Sequence, residues 1–148
     1  MADFDFLVGS WNVLNRRLIK RLVGCTDWAE FTASATSWRL FDGMANVDEI
    51  AFPDGTRGLT LRLFDRSSGQ WSLYWASSEG CALFPPVVGR FADGRGVFYG
   101  ADTEGGTPVQ VRFVWSDITA NSARWEQAFS TDGGASWEIN WTMHFSRA

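Results

Sequence analysis

The chain has 148 residues, a length that suits one domain with a core large enough to fold without disulfides or metal ions. Its formal net charge of −4 makes nucleic acid an unfavourable partner, because phosphate binding needs a positive field. Nine Trp and twelve Phe provide more aromatic surface than a small core requires, so an aromatic-lined ligand cavity is expected.

The location of the protein is predicted from its cysteines and its apolar runs. Cys25 and Cys81 fit no metal-ligand spacing, and a single pair is not a disulfide framework. We therefore expect two reduced thiols in a cytoplasmic protein. The first residues do not resemble a signal peptide. No apolar run reaches the roughly 20 residues of a membrane span, so no membrane association is expected.

Short runs of alternating apolar and polar residues recur along the chain between Gly-, Asp- and Pro-rich turns. They predict nine strands, at residues 11–20, 28–38, 44–52, 58–64, 71–75, 96–100, 109–115, 122–130 and 137–145. Asp-Gly and Gly-Gly pairs supply the positive φ that tight hairpins need. Over residues 14–22 a short amphipathic helix is the alternative, because Leu14, Leu18 and Leu22 recur at helical spacing.

Turn signals at intervals of roughly 8–12 residues indicate an antiparallel sandwich or barrel. A meander of this many strands has exposed edges unless it closes on itself. We therefore predict an all-β fold, a single closed or nearly closed antiparallel up-and-down barrel of about eight to ten strands. The barrel is expected to span residues 1–148 as one domain.

Alternation also predicts which residues face the barrel interior, because successive side chains of a strand point to opposite faces. The predicted inward rows are Leu59, Leu61 and Leu63; Trp71, Leu73 and Trp75; Val109, Val111, Phe113 and Trp115; and Trp137, Ile139, Trp141, Met143 and Phe145. His144 falls on the outer face. Residues 77–91 lack strand character, and they form either a lid carrying Phe84 or a plain crossover.

The start of the first strand resembles that of a known superfamily. Gly9-Ser10-Trp11 follows an apolar lead-in and is similar to the Gly-x-Trp motif of lipocalins and other calycin-type barrels. In that superfamily an Arg near the C-terminus packs across the Trp, and Arg147 stands at a matching place. Residues 4–11, 85–91, 115–119 and 123–129 resemble a bacterial family of lipocalin-like proteins of unknown function. The resemblance implies a calycin-type barrel and no particular activity.

Residues 130–137, Ser-Thr-Asp-Gly-Gly-Ala-Ser-Trp, resemble the Asp-box hairpin of sialidase-type propellers. The motif occurs once in a short chain, whereas propellers repeat it, so a propeller is excluded. The residues predict a tight turn in which Asp132 caps backbone N–H groups and Trp137 anchors the hairpin in the core.

The predicted function is binding of a small apolar or aromatic metabolite in the Trp-rich cavity. Gln127 shares a face with Trp125 and Phe129, so its amide needs a neighbouring strand, a water or a ligand as partner. The predicted ligand-binding residues are Arg17, Asn46, Trp75, Phe84, Tyr99, Trp115, Trp125, Gln127 and Trp141. A barrel filled by its own side chains, acting through its surface, is an alternative. An edge rich in exposed aromatics would make a homodimer plausible.

A cofactor-free isomerase, cyclase or hydrolase using the same cavity is the alternative function. An acid desolvated among Trp rings has a raised pKa and can serve as a general acid or base. Asp48 and Glu49 are the candidates, with Tyr99 as a possible hydroxyl donor, and alternation leaves open which acid faces inward. The competing interpretation pairs the carboxylate with Arg57 or Arg62 on the next strand.

Haem binding is a further alternative, because nitrobindins are calycin-type barrels with a late histidine ligand. His144 lies in a comparable strand, but alternation turns it outward. Residues 12–15 also lack the glycines that follow the Trp in the nitrobindin pattern. With one histidine and two distant cysteines, neither a metal site nor any other cofactor is predicted.

Overall fold

In the computed structural model, residues 3–148 are described, and they form a closed barrel of ten antiparallel strands. The strands are β1 Gly9–Leu18, β2 Trp28–Leu40, β3 Ala45–Ala51, β4 Arg57–Asp65, β5 Gln70–Ser77, β6 Val87–Ala92, β7 Arg95–Glu104, β8 Thr107–Ser116, β9 Ser122–Ser130 and β10 Glu138–Arg147. Consecutive strands pair, and β10 pairs with β1 to close the barrel. The predicted all-β, up-and-down barrel is confirmed. Residues 1 and 2 of the predicted domain lie outside the described residues.

Two strand predictions are settled by pairing. Residues 9–18 pair with β2 and residues 11–17 also pair with β10, so a strand and not the alternative helix forms there. The long loop predicted over 77–91 is wrong in its second half, because β6 occupies Val87–Ala92. Gly89 weakens the strand signal of β6, yet a Cβ at this position would overlap the Val97 carbonyl of β7. The close approach of the β7 backbone therefore requires a glycine at this position, and this glycine is why the sequence did not predict β6.

The inward row of β4 is the opposite of the predicted one. Leu59 and Leu63 are 39% and 37% exposed on the outer surface, whereas Arg62 is only 3% exposed. In the register, Leu61 lies between Val47 and Tyr74, and the leucines join an apolar stripe across the outside of the barrel. Alternation has the same period for either face, and here the polar partners of Arg62 inside the barrel decide which face turns inward.

The last strand changes face near its beginning. A register shift between Ile139 and Trp141 buries Asn140 completely and leaves Ile139 exposed. After this bulge the predicted inward row of β10 is confirmed, from Trp141 to Phe145. Trp137 lies before the bulge, and its ring packs 4.5 Å from the Arg112 guanidinium and beside exposed Tyr99. The predicted anchor in the core is therefore wrong, since Trp137 packs on the outside.

The end of the barrel at which β1 begins is sealed by the segment before it. Residues 5–7 form a 3₁₀ helix, and the preceding Phe4 is 1% exposed. The Phe4 ring lies 4.9 Å from Trp71 and 5.0 Å from Phe91, edge-on to both. Edge-to-face contacts of this kind stabilise a core beyond the area they bury. Phe4 is thus a plug that fills this end.

Arg147 locks the plug in place. Its guanidinium lies 3.8 Å from the centroid of the Trp11 ring and donates to the Phe6 carbonyl at 2.8 Å and to the Val8 carbonyl. The Trp11 indole N–H donates to the Leu7 carbonyl at 2.7 Å. The Arg that packs across the motif Trp, expected from the calycin resemblance, is confirmed. A second 3₁₀ helix spans Phe41–Gly43, and no helix among the described residues is long and apolar enough to cross a lipid bilayer.

Candidate functional site

The opposite end of the barrel is open and holds a cavity of about 470 Å³. Its walls combine aromatic and apolar side chains with charged and polar ones, so the lining presents both polar and apolar surface. The main lining residues are Arg17, Arg21, Leu73, Trp75, Phe84, Pro85, Asp102, Glu104, Phe113, Gln127, Phe129 and Trp141. The volume lies in the range of ligand pockets, which is roughly 300–1,000 Å³.

A smaller cavity of about 60 Å³ lies deeper in the barrel. It shares Trp75, Phe113, Gln127 and Trp141 with the open cavity, so the two follow one another along the barrel interior. Its polar lining residues are Asp48, Thr60, Arg62 and Gln127. A space of this size holds a few waters or the end group of a ligand.

The aromatic wall between the two cavities is held in place by specific contacts. The Trp141 indole N–H donates to Asn15 Oδ1 at 2.9 Å, and Asn15 is completely buried. The Trp75 ring stands edge-on to Trp141, with centroids 6.2 Å apart. It also lies over Gly58, where an added Cβ would overlap the ring. The wall is therefore preorganised rather than loosely packed.

Gln127 faces inward, as predicted, and borders both cavities. Its Nε2 donates to Asn140 Oδ1 at 2.8 Å. Alternation places Asn140 on the outer face, and only the bulge in β10 brings it inside, so the sequence analysis missed it. One N–H of the Gln127 amide is engaged, so its second N–H and its carbonyl oxygen are the groups available to a ligand.

Asp48 and Arg62 form a buried ion pair at the inner cavity. Arg62 Nη2 donates to Asp48 Oδ2 at 2.6 Å, and Nη1 donates to Asn46 Oδ1 at 2.7 Å. The guanidinium also lies 5.1 Å from the Phe4 ring and 5.8 Å from the Trp115 ring. Arg62 thus connects the plug to the cavity floor. Asn46 is 2% exposed and supports Arg62 from behind the cavity lining.

The candidate acid–base residues are separated by the barrel wall. Asp48 is the acid that faces inward, and its pairing with Arg62 matches the competing interpretation of the sequence. Glu49 lies on the outside, where its carboxylate is 3.0 Å from Arg57 Nη1. Tyr99 is 53% exposed on the outer face of β7. Of the three candidates, only Asp48 borders a cavity inside the barrel.

The rim of the open cavity carries two arginines. Arg17 lies over the Trp141 ring at 5.0 Å and the Phe31 ring at 5.9 Å. Arg21 Nη1 lies 3.5 Å from Glu104 Oε2. Burial lowers the pKa of Arg21 below its ordinary value, and the Glu104 carboxylate opposes that shift. Cations at the rim can meet an anionic substituent of a ligand.

The loop between β5 and β6 borders the open cavity through Phe84 and Pro85. The Phe84 N–H donates to the Trp75 carbonyl at 2.8 Å, which fixes the loop beside the C-terminal part of β5. The Phe84 side chain is 48% exposed. The loop is therefore an ordered part of the rim in this structure.

The predicted site residues include the aromatic wall but only part of the floor of the inner cavity. The structure brings Trp75, Trp115, Trp125, Gln127 and Trp141 together around the inner cavity. Arg62 was not among the predicted ligand-binding residues, although its position opposite Asp48 and Asn46 on the neighbouring strand is the signal that could have identified it. Thr60, on the same face, was missed for the same reason.

No described residues form an evident metal centre. His144 is exposed on the outer face of β10, as alternation predicted. Within residues 3–148, no three His, Cys, Asp or Glu side chains lie close enough together to hold a metal ion. Cys25 and Cys81 are both free thiols. The polar chemistry of the interior therefore rests on Asp48, Arg62 and the amide groups.

Comparison with known proteins adds no assignment to this geometry. No protein-family model matches the chain, and a search of curated proteins finds no match. The closed ten-stranded antiparallel barrel is consistent with a calycin-type fold.

Proposed function

We propose that this protein binds a small aromatic or apolar molecule inside its barrel. The observation that carries the proposal is the open cavity of about 470 Å³, which shares aromatic walls with a smaller, mainly apolar cavity that Asp48 and Arg62 also line. Binding pockets combine apolar walls with a few convergent polar groups in this way. The Gly9–Trp11 start beneath Arg147 further supports placing the chain among the bacterial lipocalin-like barrels.

The size and shape of the cavities favour a ligand of one or two rings. The outer cavity has room for the rings, and its walls offer the faces and edges of Trp75, Phe113 and Trp141. Gln127 can accept one hydrogen bond from the ligand. A barrel filled by its own side chains accounts for the sealed end but not for a cavity of about 470 Å³ at the open end.

Tryptophan fluorescence titrated with a panel of one-ring and two-ring compounds tests the proposal. We expect saturable quenching by at least one compound, with one binding site by calorimetry. Trp75→Leu should weaken that binding roughly tenfold, because it removes a wall of both cavities.

Trp38→Leu is the matched control, because Trp38 is 49% exposed on the outer face of β2. Its affinity should equal that of the wild type. A panel without any saturable response would contradict the proposed function. Equal affinity of the Trp75 variant would place the binding site elsewhere.

A cofactor-free enzyme is the second candidate, favoured by the position of Asp48 beside the inner cavity. Arg62 engages one carboxylate oxygen of Asp48, so the other oxygen is the atom available for proton transfer. If the protein turns over a ligand found in the panel, Asp48→Asn should abolish turnover and leave binding within a fewfold. Full turnover in that variant would rule out this role of Asp48.

A further inference from the structure

The floor of the inner cavity contains a charged donor whose N–H groups are only partly used. Arg62 is 3% exposed, and its Nη1 and Nη2 donate to Asn46 and Asp48. Within residues 3–148, its Nε–H has no hydrogen-bond partner. Buried polar groups are nearly always hydrogen-bonded, so a buried Nε–H without an acceptor needs an explanation.

The unused donor belongs to a residue that borders the ligand path. Arg62 lines the inner cavity together with Asp48 and Thr60. The inner and open cavities share Trp75 and Gln127 in their linings. A molecule in the open cavity that passes between these side chains places its leading atom at the floor, beside Arg62.

Stability alone does not account for this ion pair. A second Arg–carboxylate pair, Arg57 and Glu49, joins the same two strands on the outside of the barrel, where both groups keep their hydration. Burying Arg62 and Asp48 costs desolvation, and buried ion pairs often contribute little net stability compared with apolar residues of similar volume. A role in recognition explains why charged groups lie in an otherwise aromatic interior.

The charge at the floor selects the chemistry of the acceptor. Asp48 already balances the charge of Arg62, with their closest atoms 2.6 Å apart. An anionic group beside the pair would add an uncompensated negative charge in a buried site, which is costly. A neutral acceptor adds a hydrogen bond and no charge.

We propose that the inner cavity binds a neutral carbonyl oxygen of the ligand, from a ketone, ester or amide, through a hydrogen bond donated by Arg62. The inference rests on the proposed function and makes it specific. The rings lie in the outer cavity, and the carbonyl end points to the floor. Ligands with the same shape but without the carbonyl bind the same walls more weakly.

Three ligands of nearly equal shape test the proposal: methyl naphthyl ketone, isopropenylnaphthalene and naphthoate. The first two differ only in the exchange of a carbonyl oxygen for a methylene group, and the third carries a carboxylate. With wild-type protein and calorimetry, we expect the ketone to bind at least about tenfold more tightly than the alkene, which is the effect of one hydrogen bond from a charged donor. Naphthoate should also bind more weakly than the ketone.

The readout specific to Arg62 is the nitrogen-15 NMR signal of its guanidinium group. The ketone should shift this signal, and the alkene should leave it close to its position in the free protein. A signal that moves equally with all three ligands would contradict a direct hydrogen bond and indicate that only a water reaches the guanidinium group. Tightest binding by naphthoate would overturn the choice of a neutral group.

Replacing both members of the pair, Asp48→Asn with Arg62→Met, removes the donor without leaving a lone buried charge. The ratio of ketone to alkene affinity should fall to about one, while the alkene keeps its affinity. The matched control is Glu49→Gln with Arg57→Met, which changes the exposed pair between the same strands and should keep the wild-type ratio.

The two proposals fail in different ways. If ketone and alkene bind the wild-type protein equally, or if the double variant keeps the preference for the ketone, the Arg62 subsite is wrong and the proposed function stands. If none of the three ligands binds, and the larger panel gives no saturable response, both are contradicted.

Discussion

The two ends of the barrel use the same kinds of residue in different ways. At the sealed end, Phe4 and Trp71 are 1% and 0% exposed, and Arg147 directs its N–H groups to backbone carbonyls. At the open end, Trp75 borders empty space and Arg17 stacks on Trp141 at the rim. What differs is the segment before β1, which fills one end and has no counterpart at the other end among residues 3–148.

Aromatic content therefore does not by itself indicate a ligand cavity. Trp11 and Trp71 are surrounded by their own chain and contribute to stability. Trp75 and Trp141 form walls that a ligand can contact. We therefore expect substitutions at the sealed end to change mainly the free energy of unfolding, and substitutions at the open end to change mainly ligand affinity.

The largest expected effect is at the sealed end. Trp11→Ala removes a ring that is 1% exposed and lies beneath Arg147, and it should lower the free energy of unfolding by about 3–5 kcal/mol. Urea denaturation measures this loss. Trp38→Ala, on the outer surface, should stay within about 0.5 kcal/mol of the wild type. Equal losses in the two variants would mean that the Trp11 environment does not stabilise this end.

The junction between the two ends should show the next largest effect. Arg62→Met alone leaves Asp48 at the cavity floor without its cation, and the free energy of unfolding should fall by about 3 kcal/mol. Adding Asp48→Asn to this variant should restore most of the loss, because no lone charge is then buried. A double variant as unstable as the single one would contradict this account.

At the open end, Gly58→Ala should lower both the stability and the ligand affinity. The new methyl group overlaps the Trp75 ring, which has to move, and the free energy of unfolding should fall by about 1–2 kcal/mol. The same movement should lower affinity for naphthyl ligands roughly tenfold, a loss of about 1.4 kcal/mol in binding free energy.

Gly80→Ala is the control for this substitution. An added Cβ at Gly80 meets no heavy atom within 4 Å, so both stability and affinity should stay near the wild-type values. Unchanged affinity in the Gly58 variant would show that the position of Trp75 is not important for binding.

The sealed end was predictable from the sequence because its contacts are local or follow a known motif. Trp11 stands in the Gly-x-Trp motif, and Arg147 occupies the place that the resemblance indicates. The turn at Asp132 was predictable for a similar reason, since its hydrogen bonds join residues within four positions of it. The inward position of Gln127 followed from alternation within a strand that has no bulge.

The floor of the site was not predictable because it depends on pairing between strands. The three leucines of β4 alternate with Thr60 and Arg62, and the period is the same whichever face turns inward. Only the position of Asp48 on the neighbouring strand β3 shows which face of β4 turns inward. The bulge in β10 is likewise a property of its pairing with β9, so the burial of Asn140 could not be deduced from β10 alone.

The smallest expected effect concerns the loop between β9 and β10 at the open end. The hydroxyl and backbone N–H of Ser136 and the hydroxyl of Ser130 donate to the Asp132 carboxylate, and they lower its pKa from 3.8 to about 2. A carboxyl whose pKa is lower in the folded state stabilises that state above its unfolded pKa. The contribution is lost as the pH falls through the folded value.

Wild type and Asp132→Asn should therefore differ most in urea midpoint near neutral pH, and the difference should shrink as the pH falls from about 4 towards 2. Carbon-13 NMR of the Asp132 carboxyl group gives its pKa directly. A titration at the ordinary value, or a difference independent of pH, would contradict the capping role. Asp132 does not line the open cavity, so ligand affinity near neutral pH should be equal in the two proteins. A loss of affinity would mean that the hairpin positions the rim, and would extend the binding surface beyond the residues that line the cavity.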